Sequence, residues 1–291
     1  MAEPNFSLVL PCYNEEAAIT PTVNDLRQSL RDAGPYELII VDDGSTDRSA
    51  EIVDALSSPE DGIRVFHHDR NRGYGAALKT GIRRAGAEII VITDADGTYP
   101  CGQIPALLEG VGDADMVVGA RTGRNVHQSR VRMIPKKILQ WYCSWISGHD
   151  IPDINSGLRV FRKSVAEDFM KILPNGFSFT VTITLAMLMN NYIVRYIPID
   201  YAERIGKSKI RPIRDTLNFI QLIVRTGTYF APLRVFFPLI VIMGLGFLAS
   251  FIFDIFILGN LTDKTIILLL FCVNTTMFAL LADMIDKRKG R

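Results

Sequence analysis

Short apolar runs alternate with amphipathic stretches through the first two-thirds of the chain. Phe6–Leu10, Tyr36–Val41, Ile63–Phe66, Glu88–Thr93 and Met116–Gly119 read as strands, each a nearly unbroken apolar run. Glu15–Leu30, Asp47–Leu56 and Gly73–Ala85 have helical spacing, the last through Ala77, Leu78, Ile82 and Ala85. Gly157–Phe161 and Ile193–Ile197 predict two more strands, with a helix over Val181–Asn190 between them. Buried-type strands alternating with helices predict an α/β domain with a mostly parallel sheet covered on both faces. Such sheets bind ligands beyond the carboxyl ends of their strands. The residues that follow each run are therefore the ones to inspect for chemistry.

The pattern changes after Arg211. Ile213, Leu217, Ile220 and Val224 recur at helical spacing, with Arg214, Asp215, Asn218, Gln221 and Arg225 between them. This predicts an amphipathic helix with cationic edges, lying in a membrane interface. Pro238–Leu258 then carries one charge, Asp254, and Ile266–Ala282 carries none. About 20 apolar residues cross a bilayer, so the pair predicts a transmembrane hairpin turned at Gly259–Thr265. Asp254, near a span end, is expected to reach the interface. Basic residues precede the hairpin (Arg204, Lys207, Lys209, Arg211, Arg214, Arg225, Arg234) and follow it (Lys287, Arg288, Lys289, Arg291). The positive-inside rule then puts the N-terminal domain and the C-terminus in the cytoplasm, on the inner membrane. The predicted division is an α/β domain over 1–210, a juxtamembrane segment over 211–236, and a hairpin with a basic tail over 237–291.

Composition agrees with two unlike regions. The chain has 291 residues, 48% apolar and 22% charged. Its net charge of +1 conceals 20 basic against 26 acidic side chains in residues 1–203, and 12 against 5 in residues 204–291. A basic excess beside the most apolar sequence suits a membrane surface and not nucleic acid. Cys12, Cys101, Cys143 and Cys272 are scattered with no C-x-x-C pair, which indicates neither a zinc site nor a disulfide framework and predicts reduced thiols. The N-terminal Met-Ala-Glu-Pro-Asn has no basic n-region, so no cleaved signal peptide is expected. No G-x-G-x-x-G follows the first strand, which disfavours a dinucleotide dehydrogenase.

Acids and an arginine sit where the strand rule directs attention. Pro11-Cys-Tyr-Asn-Glu-Glu16 follows the first run, Asp42-Asp43-Gly-Ser-Thr-Asp47 the second, Asp94-Ala-Asp96 the fourth and Gly119-Ala-Arg121 the fifth. Converging carboxylates would repel one another without a metal ion or polar ligand. Two Asp at i and i+2 leaving a strand suit a hard cation that shares its sites with phosphate oxygens. Ser45, Thr46 and Asp47 also suit capping of the next helix.

Pro11-x-Tyr-Asn-Glu15, Val41-Asp-Asp-Gly-Ser-x-Asp47, Arg72-Gly-x-Gly75 and Asp94-Ala-Asp-Gly97 resemble glycosyltransferase family 2, whose fold is the Rossmann-like GT-A type. Gly119-Ala-Arg121, Asn155-Ser-Gly157 and Gly206-Lys-Ser-Lys209 resemble, within it, the polyprenyl-phosphate sugar synthases of the dolichyl-phosphate mannose synthase kind. The likeness spans about residues 5–210, and the hairpin resembles the anchor of some of these enzymes. It implies that Pro11, Tyr13, Glu15, Asp42 and Asp43 hold the nucleotide base and ribose. Asp94 and Ala95 would line the nucleotide site, and Asp96 would bind Mg²⁺ or Mn²⁺ at the diphosphate. Arg121 would face the diphosphate or the lipid phosphate, and Lys209 would contact phosphate. A mobile acceptor loop between Arg124 and Lys137 would bring a basic residue over the site, Arg130 or Arg132.

Two positions depart from the family pattern. Thr98 stands where many relatives have a metal-ligating Gln, and Glu203 stands where mannose-transferring relatives have an Arg, leaving Arg204 one residue late. The implied reaction is inverting transfer of a hexose, from a donor of the GDP-mannose or UDP-glucose type, to a membrane polyprenyl phosphate. The implied partners are the nucleotide sugar, the lipid and the bilayer, with self-association open. Alternatives are a family 2 enzyme acting on another lipid or glycan, and a membrane-anchored nucleotide-sugar-binding protein without activity.

Overall fold

The computed structural model describes residues 3–123, 130–202, 221 and 224–289. The chain forms two compact units: Met1–Trp141 with His149–Ile210, and Tyr142–Gly148 with Arg211–Arg291.

In chain order the first unit contains β1 (Phe6–Cys12), α1 (Ile19–Ser29), β2 (Tyr36–Asp42), α2 (Ser49–Leu56), β3 (Ile63–His67), α3 (Tyr74–Arg84) and β4 (Ile89–Ile92). There follow α4 (Ile104–Gly110), β5 (Met116–Ala120), α5 (Arg130–Ser147, whose last turn belongs to the second unit), β6 (Arg159–Arg162), α6 (Lys163–Phe169), α7 (Phe179–Met189) and β7 (Val194–Pro198). The strands form one seven-stranded sheet in the order β3-β2-β1-β4-β6-β5-β7. β6 runs antiparallel to both its neighbours, and every other pair is parallel. This is the mostly parallel α/β sheet that the alternation predicts.

Side chains alternate between the two faces of each strand, which gives the sheet two cores. Phe6, Leu8 and Leu10 of β1 pack with Ile19, Val23 and Leu26 of α1, Val53 of α2 and Ile104 and Leu107 of α4. Val9, Ile39 and Val41 face the other way, against Leu78 and Ile82 of α3 and Phe179 and Ile183 of α7. Fully burying each such side chain contributes about 1.5–3 kcal/mol. α3 comes closest to the sheet at Gly81, where an added Cβ would overlap Val9.

The order reverses direction at β1, which lies between β2 and β4. A crevice therefore opens at the carboxyl ends of β1 and β4. Pro11 fits there because β1 pairs with β4 only as far as Val9↔Ile92. Two residues beyond, on the same side of the strand, the missing N–H breaks no ladder bond. β6 is antiparallel, so its amino end joins the carboxyl ends of β4 and β5 at this edge. That brings the residues before β6 into the crevice.

In the second unit, α8 (Pro232–Phe253) continues as a π-helical turn over Asp254–Leu258, and α9 spans Asp263–Lys289. Pro232–Leu258 and Asp263–Ile285 are each long and apolar enough to cross a membrane. They pack antiparallel, with Ser250 bonded to Thr265 and Cys272 reaching the Ile240 carbonyl. Asp254 does not reach outward as expected. It is fully buried, and its Oδ2 accepts from Thr262 N (2.7 Å), Thr262 Oγ1 (2.6 Å) and Thr265 Oγ1 (2.7 Å). The carboxylate thus satisfies the Thr262 N–H just ahead of α9 and two threonine hydroxyls, and these bonds outweigh exposure. Arg234 donates to the Trp145 and Ile146 carbonyls, closing the carboxyl end of α5 with a cation. The predicted amphipathic helix over 211–225 lies almost wholly outside the described residues; residues 224–230 are helical.

Candidate active site

The first two strand-end loops are stitched together by short polar side chains. Asn14 takes a left-handed backbone (φ 54°), which Asn tolerates better than most residues. Its N–H donates to Ser45 Oγ (3.0 Å) and its Oδ1 accepts from Thr46 N (2.7 Å). Glu15 N donates to Ser49 Oγ (2.8 Å), so Ser45, Thr46 and Ser49 serve the neighbouring loop. Pro11 is buried, and Tyr13 and Glu15 are half-buried at its rim.

Asp42 and Asp43 reach the same edge, but the chain itself employs their oxygens. Asp42 Oδ1 accepts from Ser45 N (3.1 Å), and Oδ2 lies 3.1 Å from His67 Nδ1. Asp43 Oδ1 lies 2.6 Å from His68 Nδ1 and accepts from Arg72 N (2.9 Å), while Oδ2 accepts from Gly73 N (2.8 Å). His68 in turn meets Thr80 Oγ1 at 2.9 Å. Both carboxylates are buried and pin the loops around the crevice. Gly44 (φ 69°) is required here, since a Cβ would lie 2.5 Å from the Arg70 carbonyl carbon. Burial opposes charge on His67, but Asp42 and Asp54 outweigh it and hold its pKa above the ordinary imidazole value.

Asp94 and Asp96 leave β4 into the crevice. Asp94 Oδ1 accepts from the Tyr74 hydroxyl (2.9 Å). Burial, with the Asp94 charge next, pushes the Tyr74 phenol well above its ordinary pKa, so it keeps its proton and donates. Asp96 Oδ1 accepts from Thr98 Oγ1 (2.6 Å) and Thr98 N (3.2 Å). Thr98 thus orients the second carboxylate. Ala95 is buried, and its carbonyl accepts from Thr22 Oγ1 (3.2 Å). The residues before β6 close the floor. A Cβ on Gly157 would lie 2.8 Å from both Asp94 carboxylate oxygens, and Gly157 N donates to Tyr99 OH (2.6 Å).

Arg121 follows β5 at this edge, in a fixed setting. Its Nε and one terminal nitrogen donate to Asp153 at 2.7 and 2.9 Å, and its backbone N–H donates to the same carboxylate at 3.1 Å. The Tyr201 ring lies 5.1 Å from the guanidinium carbon. Burial opposes its charge, but the Asp153 bond outweighs it and keeps the guanidinium firmly protonated. Asp153 is a residue that the sequence reading missed. So is Arg159, fully buried, which donates to the Ile154 and Ser156 carbonyls and to Thr184 and so fixes the strand entry.

Of the remaining predicted residues, Arg204 and Lys209 lie outside the described residues. Arg130 opens α5, and its side chain, like that of Arg132, is outside the description. Residues 130–137, expected in a mobile loop, are instead the first turns of α5. Among the described residues no cluster of three or more His, Cys, Asp or Glu is arranged to hold a metal.

Residues 7–169 match the family described as glycosyl transferase family 2. The chain belongs to this family. Its glycosyltransferase relatives include an undecaprenyl-phosphate mannosyltransferase of Micrococcus luteus, 29% identical over 215 residues, covering 69% of this chain and 86% of that one. An undecaprenyl-phosphate 4-deoxy-4-formamido-L-arabinose transferase of Pseudomonas paraeruginosa is 32% identical over 267 residues, covering 87% and 72%. Among solved structures, glucosyl-3-phosphoglycerate synthase of Mycobacterium tuberculosis, crystallised with Mn²⁺, UDP and glucosyl-3-phosphoglycerate, superposes with a TM-score of 0.57 at 20% identity. That match covers 77% of this chain and 78% of the synthase. The glycosyltransferase fold is therefore of the GT-A type, with Asp94 and Asp96 at its switch point.

Proposed function

We propose that this glycosyltransferase moves a hexose from a nucleotide diphosphate sugar to the phosphate of a membrane polyprenyl phosphate, with inversion at the anomeric carbon. The observation that carries the reading is the Asp94–Asp96 pair at the β1/β4 crevice of a chain that also bears two long apolar helices. The names of the relatives support the same acceptor class.

The donor set suits a hard divalent cation, Mg²⁺ or Mn²⁺. Two oriented carboxylates from one short turn leave most positions to phosphate oxygens and water. Asp96 would hold the ion, with Asp94 beside it, and Thr98 would keep Asp96 turned toward it. Such an ion offsets the charge that builds on a departing nucleoside diphosphate. Pro11, Tyr13, Glu15 and Ala95 would shape the base and ribose pocket, and Asp42 and Asp43 would hold its loops. Arg121, locked by Asp153, would present a fixed edge to the diphosphate. Preorganised charge of this kind needs no rearrangement during reaction. A lipid phosphate is anionic at neutral pH and requires no strong general base.

The apolar helices would keep the enzyme where the lipid is. Basic flanks would place both the catalytic domain and the C-terminus on the cytoplasmic side. Exposed Trp141 and Trp145 on α5 suit the headgroup region, where Trp is enriched. The test uses purified protein in detergent with polyprenyl phosphate, Mn²⁺ and a panel of radiolabelled nucleotide sugars. Label from one donor entering the organic phase, and lost with chelator and with Asp96→Ala, supports the reading. Metal-dependent binding of a nucleotide sugar without lipid label from any donor refutes it.

A further inference from the structure

Phe177 has a setting that the reaction above does not use. It lies on the connector between α6 and α7 and is 84% exposed, more than any other large apolar side chain described. Its ring stacks on Tyr74, with centroids 5.6 Å apart and planes within 15°. Tyr74 in turn donates to Asp94. One side chain therefore separates an almost fully solvated aromatic ring from the first carboxylate of the crevice.

The connector is held in place. Asn175 carbonyl accepts from Ala76 N (3.1 Å), and Asn175 Oδ1 accepts from Lys79 Nζ (2.9 Å). Its backbone lies directly against the start of α3. A Cβ on Gly73 would come within 2.5 Å of the Asn175 carbonyl oxygen, and one on Gly75 would overlap the Pro174 carbonyl. Two glycines thus permit a close approach that presents Phe177 on a fixed platform. A large apolar side chain held in water beside a polar site forgoes burial, which favours a ligand surface that is itself apolar.

We infer that the open face of Phe177 receives the first isoprene unit of the acceptor, making Phe177 a specificity-determining residue for an allylic lipid phosphate. The inference rests on the polyprenyl-phosphate reading. The acceptor phosphate must approach the anomeric carbon, which is tied to a diphosphate held at Asp94 and Asp96. The hydrocarbon joined to that phosphate must then leave the crevice past its rim. A flat, substituted double bond matches the face of a phenyl ring. The C–H face of a hexose can also stack on a phenyl ring, so the donor KM is the readout that separates the two.

The test compares wild type, Phe177→Ala and Phe177→Trp in detergent. Acceptors are a short, water-soluble allylic prenyl phosphate and a saturated alkyl phosphate of equal carbon number. Aromatic contacts are worth about 0.5–1.5 kcal/mol beyond area, so Phe177→Ala should raise the prenyl phosphate KM roughly tenfold. The KM for the nucleotide sugar should stay within about twofold, and Phe177→Trp should restore the acceptor KM. Wild type should also prefer the allylic over the saturated acceptor, with the preference lost in Phe177→Ala. An active Phe177→Ala with unchanged acceptor KM overturns this inference alone. So does a donor KM that rises instead, which would make the ring a sugar platform. An effect seen with long lipid in vesicles but not with the soluble acceptor also overturns it, assigning Phe177 to membrane contact. Wild type that turns over no prenyl phosphate overturns the parent reading as well.

Discussion

The Arg121–Asp153 pair is the most consequential contact in the crevice, and its removal has a calculable outcome. Arg121 is 12% exposed and Asp153 2%, so neither group is well solvated in the fold. Asp153→Ala would strand a buried guanidinium together with the Arg121 backbone N–H that now donates to the same carboxylate. Breaking a buried pair in this way costs about 3–5 kcal/mol. At about 2–4 °C per kcal/mol for a domain of this size, the melting temperature should fall on the order of 10 °C. Asp153→Asn keeps the volume and one acceptor oxygen, and its loss should be nearer to about 1–3 kcal/mol. The decisive variant is the double, Arg121→Met with Asp153→Ala. It removes the stranded charge and should melt above Asp153→Ala alone, with a coupling of about 2 kcal/mol. The assay is thermal unfolding of the detergent-solubilised protein followed by tryptophan fluorescence, with kcat/KM measured in parallel. A double variant that melts no higher than Asp153→Ala, or an Asp153→Ala that melts with wild type, would refute the reasoning.

Three further outcomes follow from the same geometry. Gly157→Ala puts a methyl group 2.8 Å from the Asp94 oxygens, so Asp94 must move off its Tyr74 bond; kcat/KM should fall about 100-fold with little change in melting temperature, as expected for a misplaced group in a reacting site. Thr98→Val removes the 2.6 Å bond to Asp96, and titration with Mn²⁺ should show affinity weakened about tenfold; unchanged affinity would remove Thr98 from the site. The raised pKa of His67 stabilises the fold fully below the ordinary imidazole value of about 6.5. That stabilisation is lost as pH rises through the raised value. The melting-temperature gap between wild type and His67→Gln should therefore be widest in mild acid and close in mild alkali, and a gap that widens with pH would contradict the assignment.

What the sequence conveyed, and what it did not, follows from the sheet. β1, β2 and β4 are nearly unbroken apolar runs because both faces are covered, and the residues after them could be found by position alone. Asp42, Asp43, Asp94 and Asp96 come from that rule. Asp153 does not, because it precedes an antiparallel strand. The rule examines the residues that follow parallel strands, whereas β6 contributes the residues before it. An acid four residues ahead of Gly157 was the only available signal, and its partner Arg121 lies 32 residues away in sequence. The internal use of Asp42 and Asp43 was equally hidden. Their residue type says that they bind something, but His67, His68 and the Arg72–Gly73 backbone reach them only through β3 and the turn into α3. Asp254 was misjudged for a similar reason, since its partners Thr262 and Thr265 lie across the hairpin turn.

The locked state of Arg121 changes where positive charge has to come from. The reaction brings a lipid phosphate up to a diphosphate, at an edge already bearing Asp42, Asp43, Asp94, Asp96 and Asp153. Arg121 is largely neutralised by Asp153, so it fixes geometry more than it supplies net charge. A divalent ion held by Asp96 would offset charge on the donor, but the acceptor phosphate would still need cations. Residues 124–137 carry five basic side chains and no acid, and residues 203–210 carry three against one. On the proposed reaction, these two stretches would supply that charge. Charge that attracts an anion through solvent is screened over about 8–10 Å at ordinary ionic strength, whereas a buried bidentate pair is screened far less. The acceptor KM should therefore rise with salt while the melting temperature contributed by Arg121–Asp153 does not. That difference separates the charge that recruits the acceptor from the charge that builds the crevice.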